Sequence, residues 1–551
     1  MRAFGLPSLV HGPPPNFALC AAGYYHSGMK QQAPPQEKWP AALAESGLVL
    51  LWLVVGMVLR VWQMGWFPLR EDEALYSFWA RLVASGQDVM LERVAVDKPP
   101  VFIYTLARWF QWFGPSDAAG RSLNLLLSGL TMLALWLLAR HLFGRQLALW
   151  TLAFFALSPF AISFAPTVYT DPMLTLWLVL ALLAASWRLG LLAGLFLGLA
   201  FATKQSGLLF IPLIVLALTL GLEPGGVRQP KAPWARVLHR ARPFIAAGLS
   251  FYYVWFKVWQ WDGWRILPAE IPDFWTQSWH SYGGLALIPP AQWPIRLHEW
   301  WQVWRWWGGS APGTLLLAGL AAVAVLASVR QARHQTSARW VLLLAAFVSG
   351  YLALHFFVSF QAWDRYLLPL APLSALLAAY GGSVVWAWLM GRAQIWRMGA
   401  ALLLISGLML GAGRAAAAKM PVGGDHGAYA GLLDVAEYLQ AHTPDERGVV
   451  YQRWLGWQWQ WYLWQGPPLV YWADADMLLD DIDGRKWGYT RFVVFPAWRL
   501  PERARLARAL ARAELRLQPR LRVRAGDELR FLVDEIVPLR PLPQSGENEV
   551  E

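Results

Sequence analysis

A lysine at the edge of a long apolar stretch is placed where it could meet a phosphate group. Lys98 comes directly before Pro99 and Pro100. Proline is well suited to the first turn of a helix, so the sequence predicts an ammonium group beside a helix N-terminus, where anions bind readily. A lysine at such a boundary can also simply extend its charge into the interface. The residues around Lys98 leave both interpretations open.

Two neighbouring acids, Asp72 and Glu73, open an amphipathic segment of the same loop. Apolar residues recur in that segment at helical spacing, which predicts a helix along the membrane surface. Acids in a first turn often cap free N–H groups and complement the helix dipole. The spacing alone therefore favours a capping role for this pair and does not exclude a place in a site.

Three further charged residues, Asp171, Lys204 and Arg365, also stand at the ends of apolar stretches. Each has an ordinary explanation, since Asp171 could be an N-cap and the two cations could be interfacial anchors. All three, together with Asp72 and Lys98, map to one membrane face in the topology below. Non-adjacent loops can therefore build one site there.

That topology follows from composition. The 551 residues are 57% hydrophobic and 15% charged, with a mean hydropathy of +0.34, which is typical of an integral membrane protein and excludes a soluble one. The net charge of +12 comes from scattered arginines that form no continuous basic face, so a nucleic-acid partner is not expected. A single cysteine, Cys20, allows no internal disulfide.

Hydropathy predicts about eleven transmembrane helices. The spans fall near 46–66, 119–139, 146–163, 172–187, 189–203, 206–222, 243–261, 311–329, 340–360, 366–390 and 396–413. With a cytoplasmic N-terminus, five basic clusters share one face, which the positive-inside rule makes cytoplasmic. The clusters are Arg140 and Arg145; Arg188; Arg228, Lys231, Arg236, Arg240 and Arg242; Arg330, Arg333 and Arg339; and Arg392 and Arg397.

The flanking regions complete the predicted organisation. Residues 1–45 are interpreted as a disordered cytoplasmic tail, and 46–413 as the membrane domain with a first outer loop at 67–118. Alternating helical and strand patterns over 425–540 predict a small α/β domain with a partly parallel sheet on the periplasmic or extracellular side. Residues 541–551 are expected to be frayed.

The motifs in their order resemble those of the GT-C fold polyprenyl-phosphate-sugar glycosyltransferases, similar to lipid A aminoarabinose transferases and dolichyl-phosphate-mannose-protein mannosyltransferases. The motifs are DEALY at 72–76, DKPP at 97–100, FG at 113–114 followed by Arg121, LSP at 157–159, TDPML at 170–174, LGLAFATKQSG at 197–207 and RYLLPLAP at 365–372. The resemblance covers most of 48–390.

The resemblance implies an inverting hexosyl- or pentosyltransferase that takes sugar from a polyprenyl-phosphate carrier on the non-cytoplasmic side. Asp72 matches the family's general base, which would remove the proton of the acceptor. Lys98 matches the lysine that faces the carrier phosphate, with Lys204 and Arg365 as further candidates for that contact. Asp171 matches a second acid that orients substrate.

Two more residues of these motifs, Glu73 and Tyr366, are expected to bind substrate. One departure is Leu75, where the aminoarabinose transferases carry an arginine, and this puts that sugar in doubt. No His or Cys cluster has the spacing of a metal site, and the acid pairs at 72–73 and 474–476 are generic, so neither a metal nor another cofactor is indicated. The sequence does not identify the acceptor, which is expected to be a lipid, a glycan or a protein.

Two other functions are also compatible with the sequence. A secondary transporter would also carry intramembrane charges, although transporter sites lie near mid-membrane and these charges gather at span ends. The other alternative is a non-catalytic membrane scaffold whose soluble domain binds a partner. Two tryptophan-rich runs could stack on sugars, but interfacial anchoring is favoured for both. The runs are Trp300, Trp301, Trp304, Trp306 and Trp307, and Trp454, Trp457, Trp461 and Trp464.

Overall fold

The computed structural model describes residues 39–220, 233–281, 284–443, 448–485 and 489–539. The first helix begins at Trp39, inside the segment predicted as a tail, because the sequence from Trp39 onward already has helix-forming residues. The remainder of that tail, Cys20, Arg228, Lys231 and the predicted frayed end at 541–551 lie outside the described residues.

The chain forms a helical bundle followed by a small sheet domain. The helices of the bundle are α1 Trp39–Val61, α2 Glu71–Ala84, α3 Pro100–Phe113, α4 Asp117–Phe143, α5 Arg145–Ala156, α6 Pro159–Phe164, α7 Asp171–Ser186, α8 Gly190–Thr203, α9 Ile211–Leu220, α10 Pro233–Gly263, α11 Phe274–Ser281, α12 Trp293–Trp304, α13 Ala311–Gln331, α14 Thr336–Phe357, α15 Ala371–Leu389 and α16 Gln394–Ala416. Short 3₁₀ turns at Gln205–Phe210, Pro290–Gln292 and Asp364–Leu370 precede α9, α12 and α15.

Within the described ranges, six helical segments are long and apolar enough to cross a bilayer, which makes this a multi-pass membrane protein. They are Ala44–Val61, Asp117–Phe143, Ala311–Gln331, Thr336–Phe357, Asp364–Leu389 and Gln394–Ala416. Shorter apolar helices occupy Asp171–Ser186, Gly190–Thr203 and Gln205–Leu220. The larger count from hydropathy, and the side on which each terminus lies, stay predictions.

The structure breaks the helices at two places within the predicted spans between 146 and 203. The separation of 172–187 from 189–203 agrees with the structure, in which α7 and α8 are joined through Arg188 with φ of 62°. The predicted span at 146–163 is not one continuous helix, because α5 ends at Ala156 and α6 begins at Pro159. Proline lacks the N–H that would continue the helix, and the Ser158 hydroxyl caps the N–H of Ala161 at 3.4 Å.

Glycines let two of the central helices touch through their backbones. Gly190, Gly194 and Gly198 lie four residues apart on α8 and face α10. A Cβ added at Gly194 would lie 2.0 Å from the carbonyl oxygen of Ala247. Small residues at this spacing allow close helix contacts in membranes, where there is no hydrophobic force between helices to replace packing. This contact fixes the helix that ends beside Lys204.

The predicted α/β domain is present at the C-terminus. It comprises α17 Leu432–His442, β1 Gly448–Gln452, α18 Gly456–Tyr462, β2 Leu469–Tyr471, α19 Ala475–Gly484, β3 Thr490–Pro496, α20 Leu500–Arg512, β4 Leu515–Ala525 and β5 Glu528–Pro538. The strand order is β2-β1-β3-β5-β4, in which β2, β1 and β3 are parallel and β5 runs antiparallel to both of its neighbours. The prediction of a partly parallel sheet agrees with this topology, and the hairpin of β4 and β5 adds to it.

The sheet domain packs directly on the bundle through α18. Trp461 belongs to the bundle's own hydrophobic core and stacks on Phe110 of α3, with ring centroids 5.6 Å apart. The guanidinium of Arg81 in α2 lies over the rings of Trp461 and Trp464, at 5.2 and 4.6 Å. The domain therefore holds the two helices of the loop at 67–118 against the bundle.

Candidate active site

Asp72 and Arg365 form an ion pair across the bundle. Asp72 lies in the first turn of α2, and Arg365 lies in the 3₁₀ turn that leads into α15. One guanidinium nitrogen donates to a carboxylate oxygen of Asp72. The side chain of Asp72 is 33% exposed and that of Arg365 is 14% exposed, so the acid is the more accessible partner.

Asp171 and Lys204 form a second pair deeper in the protein. The ammonium donates to Asp171 at 2.6 Å, and each side chain is 2% exposed. Lys204 also lies 4.5 Å from the ring centroid of Tyr366, the residue after Arg365. Neither simple explanation for these two residues holds, because the Asp171 carboxylate accepts from the lysine instead of capping its helix and Lys204 is buried instead of interfacial.

Lys98 is the third cation of this region. It stands two residues before α3, which begins at Pro100 as the two prolines predict. Its ammonium pairs with Asp97 and is buried, so it is not an exposed interfacial lysine. The amide of Gln205, which follows Lys204, donates to the carbonyl of Asp97. This contact ties the segment that carries Lys98 to the end of α8.

The three cations act together on one carboxylate. Burial raises the pKa of the Asp72 carboxyl, but the positive charges of Arg365, Lys98 and Lys204 outweigh burial, and the pKa lies below its ordinary value. Asp72 is therefore ionised at neutral pH. A carboxylate that is paired with one cation and lies in the field of two more is an arrangement that can receive a proton and hold a phosphate at the same place.

Glu73 points away from this group of charges. One of its oxygens accepts the N–H of Arg70 at 3.1 Å, and the other accepts the N–H of Val168 at 2.8 Å. Burial raises the pKa of the Glu73 carboxyl, while Arg121 and the two N–H groups oppose that shift. The first of these contacts is the capping role that spacing favoured. The second fixes α2 to the segment just before Asp171.

Two side chains in the first turns of α4 bind the backbone next to Asp72 and Asp171. The guanidinium of Arg121, a residue of the family resemblance, donates to the carbonyl of Pro68 at 3.2 Å. The amide of Asn124 donates to the carbonyls of Thr167 and Tyr169, at 2.6 and 2.8 Å. These bonds keep the backbone on both sides of the site in place.

Asp117, at the start of α4, joins the site to the sheet domain. It accepts from the Trp461 indole at 2.8 Å and from the Tyr462 hydroxyl at 2.7 Å. The same hydroxyl accepts the N–H of Leu69 at 2.7 Å, close before Asp72 in the chain. Sequence reasoning missed Asp117, because an acid after Ser116 in a first turn has the pattern of ordinary capping.

Asp364 was also missed, although it stands next to Arg365. Its carboxylate accepts the N–H of Arg365 at 2.8 Å and the N–H of Gly423 at 3.0 Å. Gly423 belongs to the connection between α16 and α17, in which the Tyr429 hydroxyl also donates to Glu71. This connection thus contacts the neighbours of both Arg365 and Asp72. An acid directly before the RYLLPLAP motif was the available signal.

The two tryptophan-rich runs are not simply membrane anchors. Trp300 is fully buried and donates to the carbonyl of His355 at 3.1 Å, while Trp457 and Trp464 contact Phe78 of α2. Trp300 and Trp461 are therefore buried and are not interfacial anchors, whereas Trp301 and Trp457 are about 40% exposed, and anchoring stays a prediction for them. In the part of the chain that the structure describes, no group of three or more His, Cys, Asp or Glu side chains is placed to hold a metal ion.

Comparisons with known proteins bear on the fold that carries these residues. The family model of the dolichyl-phosphate-mannose-protein mannosyltransferases matches residues 97–239. No curated protein sequence matches the chain significantly. Among solved structures, ArnT from Cupriavidus metallidurans bound to undecaprenyl phosphate is similar, with 16% identity, a TM-score of 0.56, and coverage of 90% of this chain and 97% of ArnT.

Two further structures give the same result. ArnT from the same organism in the apo state has 17% identity and a TM-score of 0.59, covering 89% of this chain and 98% of ArnT. The apo oligosaccharyltransferase of Archaeoglobus fulgidus has 13% identity and a TM-score of 0.51, covering 84% of this chain and 70% of that enzyme. The chain therefore has the GT-C fold, as the resemblance of its motifs implied.

Proposed function

We propose that this protein is an inverting glycosyltransferase that moves a sugar from a polyprenyl-phosphate carrier to an acceptor on the non-cytoplasmic side of the membrane. The observation that carries the proposal is the ion pair of Asp72 with Arg365, together with the contact of Lys204 with Tyr366, the residue after Arg365. The amide of Gln205, which follows Lys204, joins the segment of Lys98 to the same region. The family match over 97–239 and the GT-C fold support it. The charges gather at helix ends, which disfavours a transporter.

In the proposed reaction, the Asp72 carboxylate accepts the proton of the acceptor hydroxyl as that oxygen bonds to the anomeric carbon. The bond between the anomeric carbon and the carrier phosphate breaks, and its electron pair stays on the phosphate oxygen. The phosphate changes from a diester with one negative charge to a monoester that gains a second. Cations beside it therefore stabilise the transition state more than the ground state.

The remaining residues of the site have supporting places in this scheme. We assign Lys98 and Arg365 to direct contact with the carrier phosphate. Lys204, which is more deeply buried, stabilises the negative charge of the same phosphate. Asp171 holds Lys204 at 2.6 Å, and Tyr366 lies against the Lys204 ammonium. Glu73 is a positioning residue in this scheme, since both of its oxygens accept backbone N–H groups.

The test is transfer by the purified, reconstituted protein supplied with a panel of lipid-linked sugars and with lipid, glycan and peptide acceptors, with released polyprenyl phosphate as the readout. Asp72→Asn is expected to lower the transfer rate about 10²- to 10⁴-fold, the usual contribution of a general base. Asp480→Asn is the matched control, because Asp480 is an exposed acid in the sheet domain. Unchanged transfer by Asp72→Asn would remove the mechanism, and movement of an intact solute across the membrane would favour a transporter.

A further inference from the structure

The general base and one phosphate-binding cation of the proposed site neutralise each other. Arg365 donates to Asp72, while Lys204 faces Asp171 and Lys98 faces Asp97. A carboxylate that receives a guanidinium is a weaker base than a free one, because its charged form is stabilised. The same contact occupies a donor group of Arg365 that a phosphate would need.

Of the three pairs, the one between Asp72 and Arg365 is the best placed to open. Its acid is 33% exposed, whereas Asp171 is 2% exposed and Asp97 is 17% exposed. Separating a partly exposed carboxylate from its cation costs far less than leaving a deeply buried charge without a partner. An exposed acid can also meet an incoming acceptor.

The surroundings of Arg365 hold its guanidinium whether or not a carboxylate is bound. The guanidinium lies over the rings of Tyr169 and Trp363, at 5.2 Å from each centroid. The backbone N–H of Arg365 is anchored on Asp364 at 2.8 Å. A guanidinium held in this way can exchange one oxyanion for another without moving, and it binds phosphate with the same two-pronged geometry as a carboxylate.

Building on the proposed function, we propose that the carrier phosphate takes Arg365 from Asp72 and thereby releases the base. The donor then binds before the base can act on an acceptor. In the absence of donor, Asp72 is a competitor of the phosphate for Arg365. The proton balance is unchanged by this step, since one anion replaces another at the same cation.

If this exchange occurs, removing the charge of Asp72 should strengthen binding of the carrier phosphate and weaken catalysis. Asp72→Asn removes the competitor, so undecaprenyl phosphate is expected to bind this variant roughly 5- to 20-fold more tightly than wild type, within the usual range of coupling between two ligands. The same variant loses transfer. Binding can be followed by titration of the full-length protein in detergent micelles, with undecaprenol, which lacks the phosphate, as the uncharged control.

A double-variant cycle separates exchange from a general field effect. In an Arg365→Met background, Asp72→Asn should no longer change the affinity for undecaprenyl phosphate. An equal gain with and without Arg365 would overturn the exchange. Asp72→Ser also removes the charge and replaces Asp72→Asn should that variant not accumulate.

The two proposals fail in different ways. Unchanged affinity in Asp72→Asn, together with loss of transfer, would refute the exchange and leave the glycosyltransferase standing. A wild-type protein that bound undecaprenyl phosphate no better than undecaprenol would instead refute the donor assignment of the proposed function.

Discussion

The buried pair of Asp171 and Lys204 allows structure and catalysis to be tested separately. In Asp171→Leu, the ring of Tyr366, at 4.5 Å, would be the remaining partner of the Lys204 ammonium among the residues that the structure describes. A desolvated cation–π contact contributes about 2 kcal/mol, which is less than the penalty of several kcal/mol for an unpaired buried charge. With both side chains 2% exposed, we expect the single variant to lose about 3–5 kcal/mol of stability.

Replacing both residues removes the unpaired charge. The double variant Asp171→Leu with Lys204→Met fills a similar volume with apolar groups, which is often neutral or stabilising. Thermal unfolding in detergent, read by the fraction of monodisperse protein, should therefore show a clear loss for the single variant and near-complete recovery for the double one. Equal instability of the two variants would show that the reasoning about buried charge is wrong.

Transfer activity should follow a different order. We expect the double variant to unfold like wild type and still lose transfer by at least about tenfold, because the charge of Lys204 no longer acts on the leaving phosphate. Wild-type transfer by the stable double variant would show that the pair is structural and that Lys204 has no part in the reaction. The assay is release of polyprenyl phosphate at saturating donor.

Two other predictions follow from the site and the packing. Burial raises the pKa of Asp72, but its neighbouring cations lower it below the ordinary value. The value of kcat/KM for the donor should therefore be retained as pH falls to about 4. A loss of kcat/KM that begins near pH 6 would contradict this. If the carrier phosphate takes Arg365 from Asp72, kcat should begin to fall at a higher pH than kcat/KM as the solution is made more acidic. Gly194→Leu should cost at least about 2 kcal/mol, because its Cβ would meet the Ala247 carbonyl at 2.0 Å, whereas Gly399→Leu, with nothing within 4 Å, should unfold at the wild-type temperature.

The helical membrane fold and the small α/β domain could be predicted from sequence, because hydropathy and periodicity are properties of single segments. The start of α3 at Pro100 and the break between α7 and α8 were predicted for the same reason. The break in the helix after Ala156 was not predicted, because the apolar run continues through the break. Pro159 was the signal that indicated it. The hairpin of β4 and β5 was not anticipated, since arginines on an exposed edge strand obscure its alternation.

The sequence by itself determined which residues of this protein are apolar enough to enter a bilayer and which charged residues stand at the ends of those segments. Only the tertiary structure decided their partners: Asp72 meets Arg365 across 293 positions of the chain, and Glu73 binds the backbone instead of joining them. Pairing of this kind depends on how close the helices approach, which is set by contacts such as Gly194 on Ala247. Such contacts are summed over distant residues and leave no signal in any one segment.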